Sequence, residues 1–173
     1  MTAIIFLAAI HMFRMGGDIR VPDAPHGAWL HTMGGDIVVE RGAGAIVAKT
    51  MGGNIDIDSL RGSAEAGTMG GEIRVSVDGN GPGHNLDLSS LGGDIELTLP
   101  ANFDGNFDIA VEEGEHGSLH HITSDFPLSV RDSTRWHFFE GSRIVHAASG
   151  RSGSGVNRVH ISTIGGNVTI RKK

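Results

Sequence analysis

Six times this chain writes a pair of glycines, then Asp, Asn or Glu, then Ile or Val. "HTMGGDIVVE" (31–40) is one instance, and "RMGGDIRV", "KTMGGNIDID", "GTMGGEIRVSV", "SSLGGDIEL" and "STIGGNVTI" are the others. The pairs begin at Gly16, Gly34, Gly52, Gly70, Gly92 and Gly165, so the first three intervals are 18 residues each, the fourth is 22 and the last is 73. A fixed period near 20 marks a solenoid, whose units bury their apolar faces only by stacking on one another. The four extra residues of the fourth interval fall around "DGNGPGHN" (78–85), which reads as a loop bulging from one turn. The last interval is one more than four periods, and its length predicts further degenerate rungs within it.

Two strand patterns flank each glycine pair. After it, Ile37 and Val39, Ile55 and Ile57, Ile73, Val75 and Val77, then Ile95, Leu97 and Leu99 alternate with mostly polar residues. That is the period of a half-buried strand. Before it, Ala28, Leu30 and Thr32 stack on Ile46, Ala48 and Thr50, then on Ala64, Ala66 and Thr68. Inward positions are even-numbered before the glycines and odd-numbered after them, so the alternation slips by one and the chain must turn there. The reading is an all-β, single-stranded parallel β-solenoid (β-helix) of about 18-residue rungs. It is right-handed, as parallel β crossovers are.

The 173 residues suit a single domain. Residues 1–15 read as an apolar N-terminal cap or end rung, 16–99 as regular rungs, and 100–173 as irregular rungs with a C-terminal cap. Glycine is abundant (27) while Val, Ile and Leu stay common, which fits an ordered, turn-rich chain. With no cysteine there is no disulfide framework. A net charge of −6 without a basic face argues against nucleic acid as the main partner. The apolar run "TAIIFLAAIHMF" (2–13) is too short to span a bilayer as a helix and lacks the basic start and cleavage site of a secretory signal. It reads as a buried end rung or cap, the alternatives being the remnant of a membrane anchor or a contact with another chain.

Beyond residue 100 the strict repeat lapses. "NFDIAVEE" (106–113), "SLHHITSDFPLSV" (118–130), "WHFFEGSRIVHAA" (136–148) and "VNRVHIST" (156–163) read as strands, and "SGRSGSG" (149–155) as a flexible hairpin-like loop. They predict a broader, partly antiparallel C-terminal sheet, closed by "NVTIRKK", that caps the open end of the solenoid.

The recurrent element, Thr32-Met33-Gly34-Gly35-Asp36-Ile37-Val38-Val39, with "ITSDFPLSV" (122–130) and "VHISTIGGNVTIRKK" (159–173), resembles a bacterial family of adhesin-like domains built from β-strand repeats. The likeness runs from Arg14 to Arg171, and the double glycine stands where that family carries one. The resemblance implies a surface or envelope binding module and brings no catalytic residues with it.

Several residue columns suggest chemistry, and each has a structural explanation that weighs more. The acidic column Asp18, Asp36, Asn54, Glu72, Asp94 and Asn167 could draw a calcium ion. Like charges one rung apart repel by about 1 kcal/mol in water, and calcium favours several oxygen ligands. Calcium-binding β-roll repeats, however, need a further Gly-x-Asp where these rungs have Ile-x-Val. The column reads instead as side chains bonding backbone N–H groups at the turn. The hydroxyl column Thr32, Thr50, Thr68, Ser90 and Thr163 lacks the second column of an ice-binding face and reads as a ladder satisfying backbone groups. Met15, Met33, Met51, Met69, Leu91 and Ile164 read as packing at the same corner.

His120 and His121 are adjacent and face opposite sides of a strand, and His116 with Glu113 and Glu115 has no ligand spacing. Ser124-Asp125 lacks a base fixed against a nucleophile. No catalytic, cofactor-binding or metal-binding residue is therefore assigned, and no cofactor is expected. Trp29, Val38 and Val47 should point outward, either as a contact surface or as ground covered by the N-terminal segment.

The leading expectation is a non-enzymatic module of adhesion, scaffolding or self-assembly at the bacterial cell envelope or outside the cell, a cytoplasmic place being the alternative. Its partners would be a protein or glycan surface and further copies of itself as a homo-oligomer or end to end, with a membrane involved only through a missing anchor. The runner-up is a carbohydrate-active β-helix enzyme or glycan-binding domain. It would need a groove of acids and bases such as Asp56, Asp58, Arg74 and Glu96.

Overall fold

The structure, a computed structural model, describes residues 9–112, 121–137 and 141–173, apart from the side chains of 132–143. The described residues form strands and turns with no helix. Before or between the first glycine pairs run β1 (Ile10–Arg14), β3 (Ala28–Thr32), β5 (Ala45–Thr50), β7 (Ser63–Thr68) and β9 (Leu86–Ser90). After them run β2 (Ile19–Val21), β4 (Ile37–Val39), β6 (Ile55–Leu60), β8 (Ile73–Val77) and β10 (Ile95–Leu99). The rest are β11 (Gly105–Glu112), β12 (Ile122–Ser124), β13 (Ser129–His137), β14 (Gly141–Ser152), β15 (Asn157–Ile164) and β16 (Val168–Lys172).

These strands make two mostly parallel sheets. The nine-stranded sheet has the order β1-β3-β5-β7-β9-β15-β11-β14-β13, and the seven-stranded sheet the order β12-β16-β10-β8-β6-β4-β2. Each repeat thus gives the strand before its glycines to one sheet and the strand after them to the other. Register follows the spacing, with Leu30 opposite Ala48 and Ile37 opposite Ile55. Ile73 lies opposite Ile95, so the extra residues at 78–85 stay out of the ladder as a loop between β8 and β9.

The alternation holds on both sides of the corner. Ala28, Leu30 and Thr32 are buried, as are Ile37 and Val39, and the same parity continues through Val77 and Leu99. The inward side chains of both sheets form one core, Ala and Leu columns of the first sheet meeting Ile and Val columns of the second. Each buried Ile, Leu or Val contributes about 1.5–3 kcal/mol by leaving water.

The C-terminal third departs from the expectation of stacked extra rungs. β15 lies between β9 and β11 and is parallel to both, while β16 lies between β10 and β12. The repeat that begins at Gly165 therefore sits directly against the one that begins at Gly92, despite the 73-residue interval. Strand pairing needs two complementary edges and is indifferent to chain order. The segment from β11 to β12 goes one position further out, and the C-terminal repeat fills the slot left behind. "NVTIRKK" is consequently interior to its sheet and closes nothing; the far edges are β12 and β13.

Other boundaries shift for local reasons. The antiparallel pairing is present, in β11 with β14 and β13 with β14. Residues 122–130 divide into β12 and the start of β13 around buried Phe126. Residues 136–148 contribute to two antiparallel strands, with His137 opposite Gly141. Of the glycine-serine loop, 149–152 continue β14, and only the next residues turn, at Gly153 and Gly155 with φ of +66° and +79°.

Candidate functional site

The Gly-Gly corner shows why its residues recur. A Cβ on the second glycine of each later pair (Gly35, Gly53, Gly71, Gly93 and Gly166) would strike the carbonyl of the second glycine one repeat earlier. On Gly34, Gly52 or Gly70 it would meet nothing. Among Gly35, Gly53, Gly71 and Gly93 none has positive φ, so close approach of stacked backbones selects glycine there, more than the freedom to bend.

The hydroxyl column is buried and bridges the repeats. The Thr32, Thr50, Thr68, Ser90 and Thr163 hydroxyls donate to the carbonyls of Gly17, Gly35, Gly53, Gly71 and Gly93 at 2.9–3.2 Å. Three of them also accept the amide of the second glycine in their own repeat. The column is thus an internal ladder and presents no exposed hydroxyl face of its own.

The acidic column forms a second ladder. Asp18 Oδ1 accepts the Asp36 amide at 3.0 Å, Asp36 the Asn54 amide at 2.7 Å, and Asn54 the Glu72 amide at 2.9 Å. Asp94 accepts the Asn167 amide at 2.7 Å, and Asn167 the His121 amide at 3.1 Å. Each side chain thus serves the backbone of the next repeat, one step beyond the turn that spacing suggested. Glu72 is the exception; its longer side chain leaves the ladder and meets Arg74.

The apolar column differs from the expectation of a packed corner. Met33, Met51, Met69 and Leu91 are about half exposed and Met15 more so. In the repeats after the first, the buried corner place already holds the hydroxyl, so the next side chain projects as a ridge.

The two outer faces differ in how they use their charges. On the seven-stranded sheet Arg74 lies between Asp56 (3.5 Å) and Glu96 (4.0 Å), and Arg171 reaches Glu96 at 3.4 Å. Lys173 and then the Ser59 hydroxyl hold the Asp78 carboxyl below its ordinary range. Of the residues named for a catalytic groove, Asp56, Arg74 and Glu96 are thus tied into a cross-strand ion network, and Asp58 is exposed outside it. Such surface pairs are each worth little.

On the nine-stranded sheet, strand register sets His11, Trp29, Val47, Glu65, Asp87, His160 and Asp108 in one row. At about 4.8 Å per strand the row is about 29 Å long. Trp29 is 57% exposed and meets His11 edge-on, while Phe13 stacks on His31 at 5.2 Å. Lys49 bridges to Glu65 at 2.6 Å, and His160 Nδ1 lies 3.4 Å from Asp108. Beside this row runs a row of short side chains, Gly67, Ser89, Ser162 and Ala110. A shallow hollow of about 460 Å³ on this face is lined by Glu65, Asp87, Asp108, Arg158 and His160 among others. A second, of about 410 Å³, lies among the aromatic residues at the β1 end.

Several polar residues that the repeat does not announce hold the C-terminal insertion. The Asp104 carboxylate accepts from the Ser154 hydroxyl and the Gly155 and Val156 amides, which lowers its pKa to about 2. Buried Asn157 donates to the Gly81 and Asp104 carbonyls and accepts the His84 amide. Buried His84 bonds through Nδ1 to the Gly62 carbonyl at 3.0 Å and begins a ring series through Phe103 and Phe107 to Phe126. The only sequence signal for these residues was polarity at a strand start or loop, too common to single them out.

Ser124 and Asp125 serve the backbone, accepting the Phe126 and Lys172 amides. His116, His120, Glu113 and Glu115 lie outside the described residues, as does the apolar stretch before Ala9. Among the described residues, no group of three or more His, Asp or Glu is placed to hold a metal ion. Comparison with protein-family models, with curated proteins and with solved structures gives no match for this chain.

Proposed function

We propose that this protein is a non-enzymatic binding module of the adhesive or scaffolding kind, wound as a right-handed parallel β-solenoid of 18-residue rungs. Its ligand lies along the outer face of the nine-stranded sheet. The observation that carries this reading is the row from His11 and Trp29 to Asp108, aromatic at one end and charged at the other. An exposed indole offers a stacking surface, and Asp87, with no side-chain partner among the described residues, offers two acceptors to hydroxyl or ammonium groups. A run of seven in-register positions suits an extended ligand, a glycan chain or a protein segment laid across the strands. The sequence resemblance to adhesin-like domains supports this reading, and with it a site of action at the cell envelope or outside the cell.

The test is a binding screen on arrayed glycans and immobilised proteins with the wild type, Trp29→Ala and Asp87→Asn. Both outward positions should tolerate substitution without loss of fold, and both variants should lose binding at least tenfold. Retention of full affinity by both would remove this face from the reading.

A catalytic reading has one observation in its favour. Asp87 and Asp108 flank His160 on neighbouring strands and stand two strand spacings apart, about 9.6 Å at the backbone. Inverting glycoside hydrolysis uses two carboxyl groups about 6.5–9.5 Å apart, a separation that side chains on strands so spaced can adopt. Turnover of a glycan ligand, lost in Asp87→Asn and Asp108→Asn, would replace the binding reading by this one.

A further inference from the structure

The first repeat breaks the corner pattern at one position. Where later repeats carry Thr32, Thr50, Thr68, Ser90 and Thr163, the first carries Arg14. A hydroxyl at that place would find no earlier glycine carbonyl among the described residues. Arg14 instead turns its guanidinium onto the carbonyl of Asp18, at 3.2 Å. In the later repeats the equivalent carbonyl accepts a backbone amide from the repeat before it. The Asp36 carbonyl takes the Ile19 amide at 2.8 Å, that of Asn54 takes Ile37 at 2.9 Å, and that of Glu72 takes Ile55 at 2.9 Å. Those of Asp94 and Asn167 take Ile73 and Ile95 at 3.0 and 2.8 Å. Arg14 thus fills, with its own side chain, the acceptor that an added repeat would use.

We propose that Arg14 is an end cap that keeps the edge formed by β1 and β2 from pairing with a second copy of this chain. Unpaired edge strands recruit other strands, and a charged side chain on the edge is one way proteins prevent it. The excluded partner is the same edge of another molecule, met in antiparallel fashion about a two-fold axis. The opposite end does not fit this edge, because β14 and β13 carry the nine-stranded sheet past β12 and the two sheets end out of step there. At the near end β1 and β2 finish together, and exposed Phe13, Met15 and Trp29 lie beside them, offering apolar area to a dimer once the charge is gone. The inference concerns the edge and does not rest on the ligand face proposed above.

The experiment is sedimentation equilibrium of the full chain over a wide concentration range. The wild type and Arg14→Lys, which retains the charge, should remain monomers of 18.2 kDa. Arg14→Thr should rise with concentration toward twice that mass, as should Arg14→Ala, which covers the case in which the threonine variant folds poorly. The amide of Ile10 bonds to Gly27 in the direction of β3, so the amides of His11 and Phe13 face the edge that no other described strand pairs. Adding Phe13→Pro to Arg14→Thr removes one of those outward donors and should restore the monomer. A folded Arg14→Thr variant that stays monomeric would overturn the proposal. So would a wild type that already dimerises, or association that survives Phe13→Pro.

Discussion

The corner glycines make the most quantitative test of how this chain stacks. In Gly71→Ala the new Cβ would lie 2.0 Å from the Gly53 carbonyl oxygen and 2.5 Å from its carbon. An unstrained carbon–oxygen contact is about 3.3 Å or longer, so the two backbones must part by about 1 Å. Three bonds cross or brace that joint: Thr68 hydroxyl to the Gly53 carbonyl (2.9 Å), Gly71 amide to Thr68 (3.2 Å), and Glu72 amide to Asn54 (2.9 Å). At about 1 kcal/mol each, their loss gives about 3 kcal/mol, the upper part of the range for overpacked sites. Gly70→Ala is the matched control. Its Cβ meets nothing within 4 Å and its φ is not positive, so alanine should stabilise by about 0.4–1 kcal/mol through the unfolded chain. The two variants, adjacent in sequence and identical in chemistry, should therefore differ by about 4 kcal/mol. At about 2–4 °C per kcal/mol for a chain of this size, their melting temperatures should stand about 8–16 °C apart by circular dichroism. Melting within a degree or two of each other would refute the stacking contact as the reason for the second glycine.

Two other perturbations probe the core and the insertion. Ile73→Asp places a carboxylate where Ile73 is fully buried between Ile55 and Ile95, and should abolish a cooperative melt, whereas Ile73→Val should cost about 0.5–1.5 kcal/mol. An unchanged melting temperature for the aspartate variant would disprove the inward assignment. Asp104 has its folded pKa lowered from 3.8 to about 2, so the unfolded state binds the proton first. Its contribution is fully present above the unfolded value and is lost as pH falls from about 4 through 2. Urea midpoints measured between pH 5 and 2 should fall less steeply in Asp104→Asn than in the wild type. Parallel slopes would mean that the turn at 153–156 does not depend on this carboxylate.

Much of this architecture was readable because it is local and periodic. The parity slip at Gly-Gly assigned Ile37, Val39, Leu30 and Thr32 to the interior, where each is buried. It also made the hydroxyls a ladder, as Thr50 and Thr68 show. Periodicity fixes which way a side chain points relative to its neighbours, and that sufficed. It could not rank the two glycines of a pair, since the clash belongs to Gly53 against Gly71, residues of different repeats. Nor could it see that Met33 and Met51 are exposed, because an apolar residue at a corner fits either side of the surface. The larger miss was strand order. β15 obeys the same alternation whether it stacks sixth or last, so nothing in its residues marks it as an insertion between β9 and β11. The clue lay in single polar groups, such as Asn157, whose bonds reach back to residues 81, 84 and 104.

That insertion has a consequence for the proposed ligand face as well as for the fold. Asp87 and Asp108 belong to strands that would be neighbours if the C-terminal repeat were absent, two carboxylates about 4.8 Å apart at the backbone. β15 enters between them and brings His160, whose Nδ1 lies 3.4 Å from Asp108, together with Arg158 at the same hollow. The same event gives both flanking strands a partner and separates two like charges by a base. Inward and corner positions are consumed by stacking, and the outward positions of the seven-stranded sheet largely pair among themselves. The outward row of the nine-stranded sheet is composed from three distant stretches of chain, which meet only when the last strand goes in. A repeat alone would have produced a monotonous face; chain order out of step with strand order is what makes this one locally distinct.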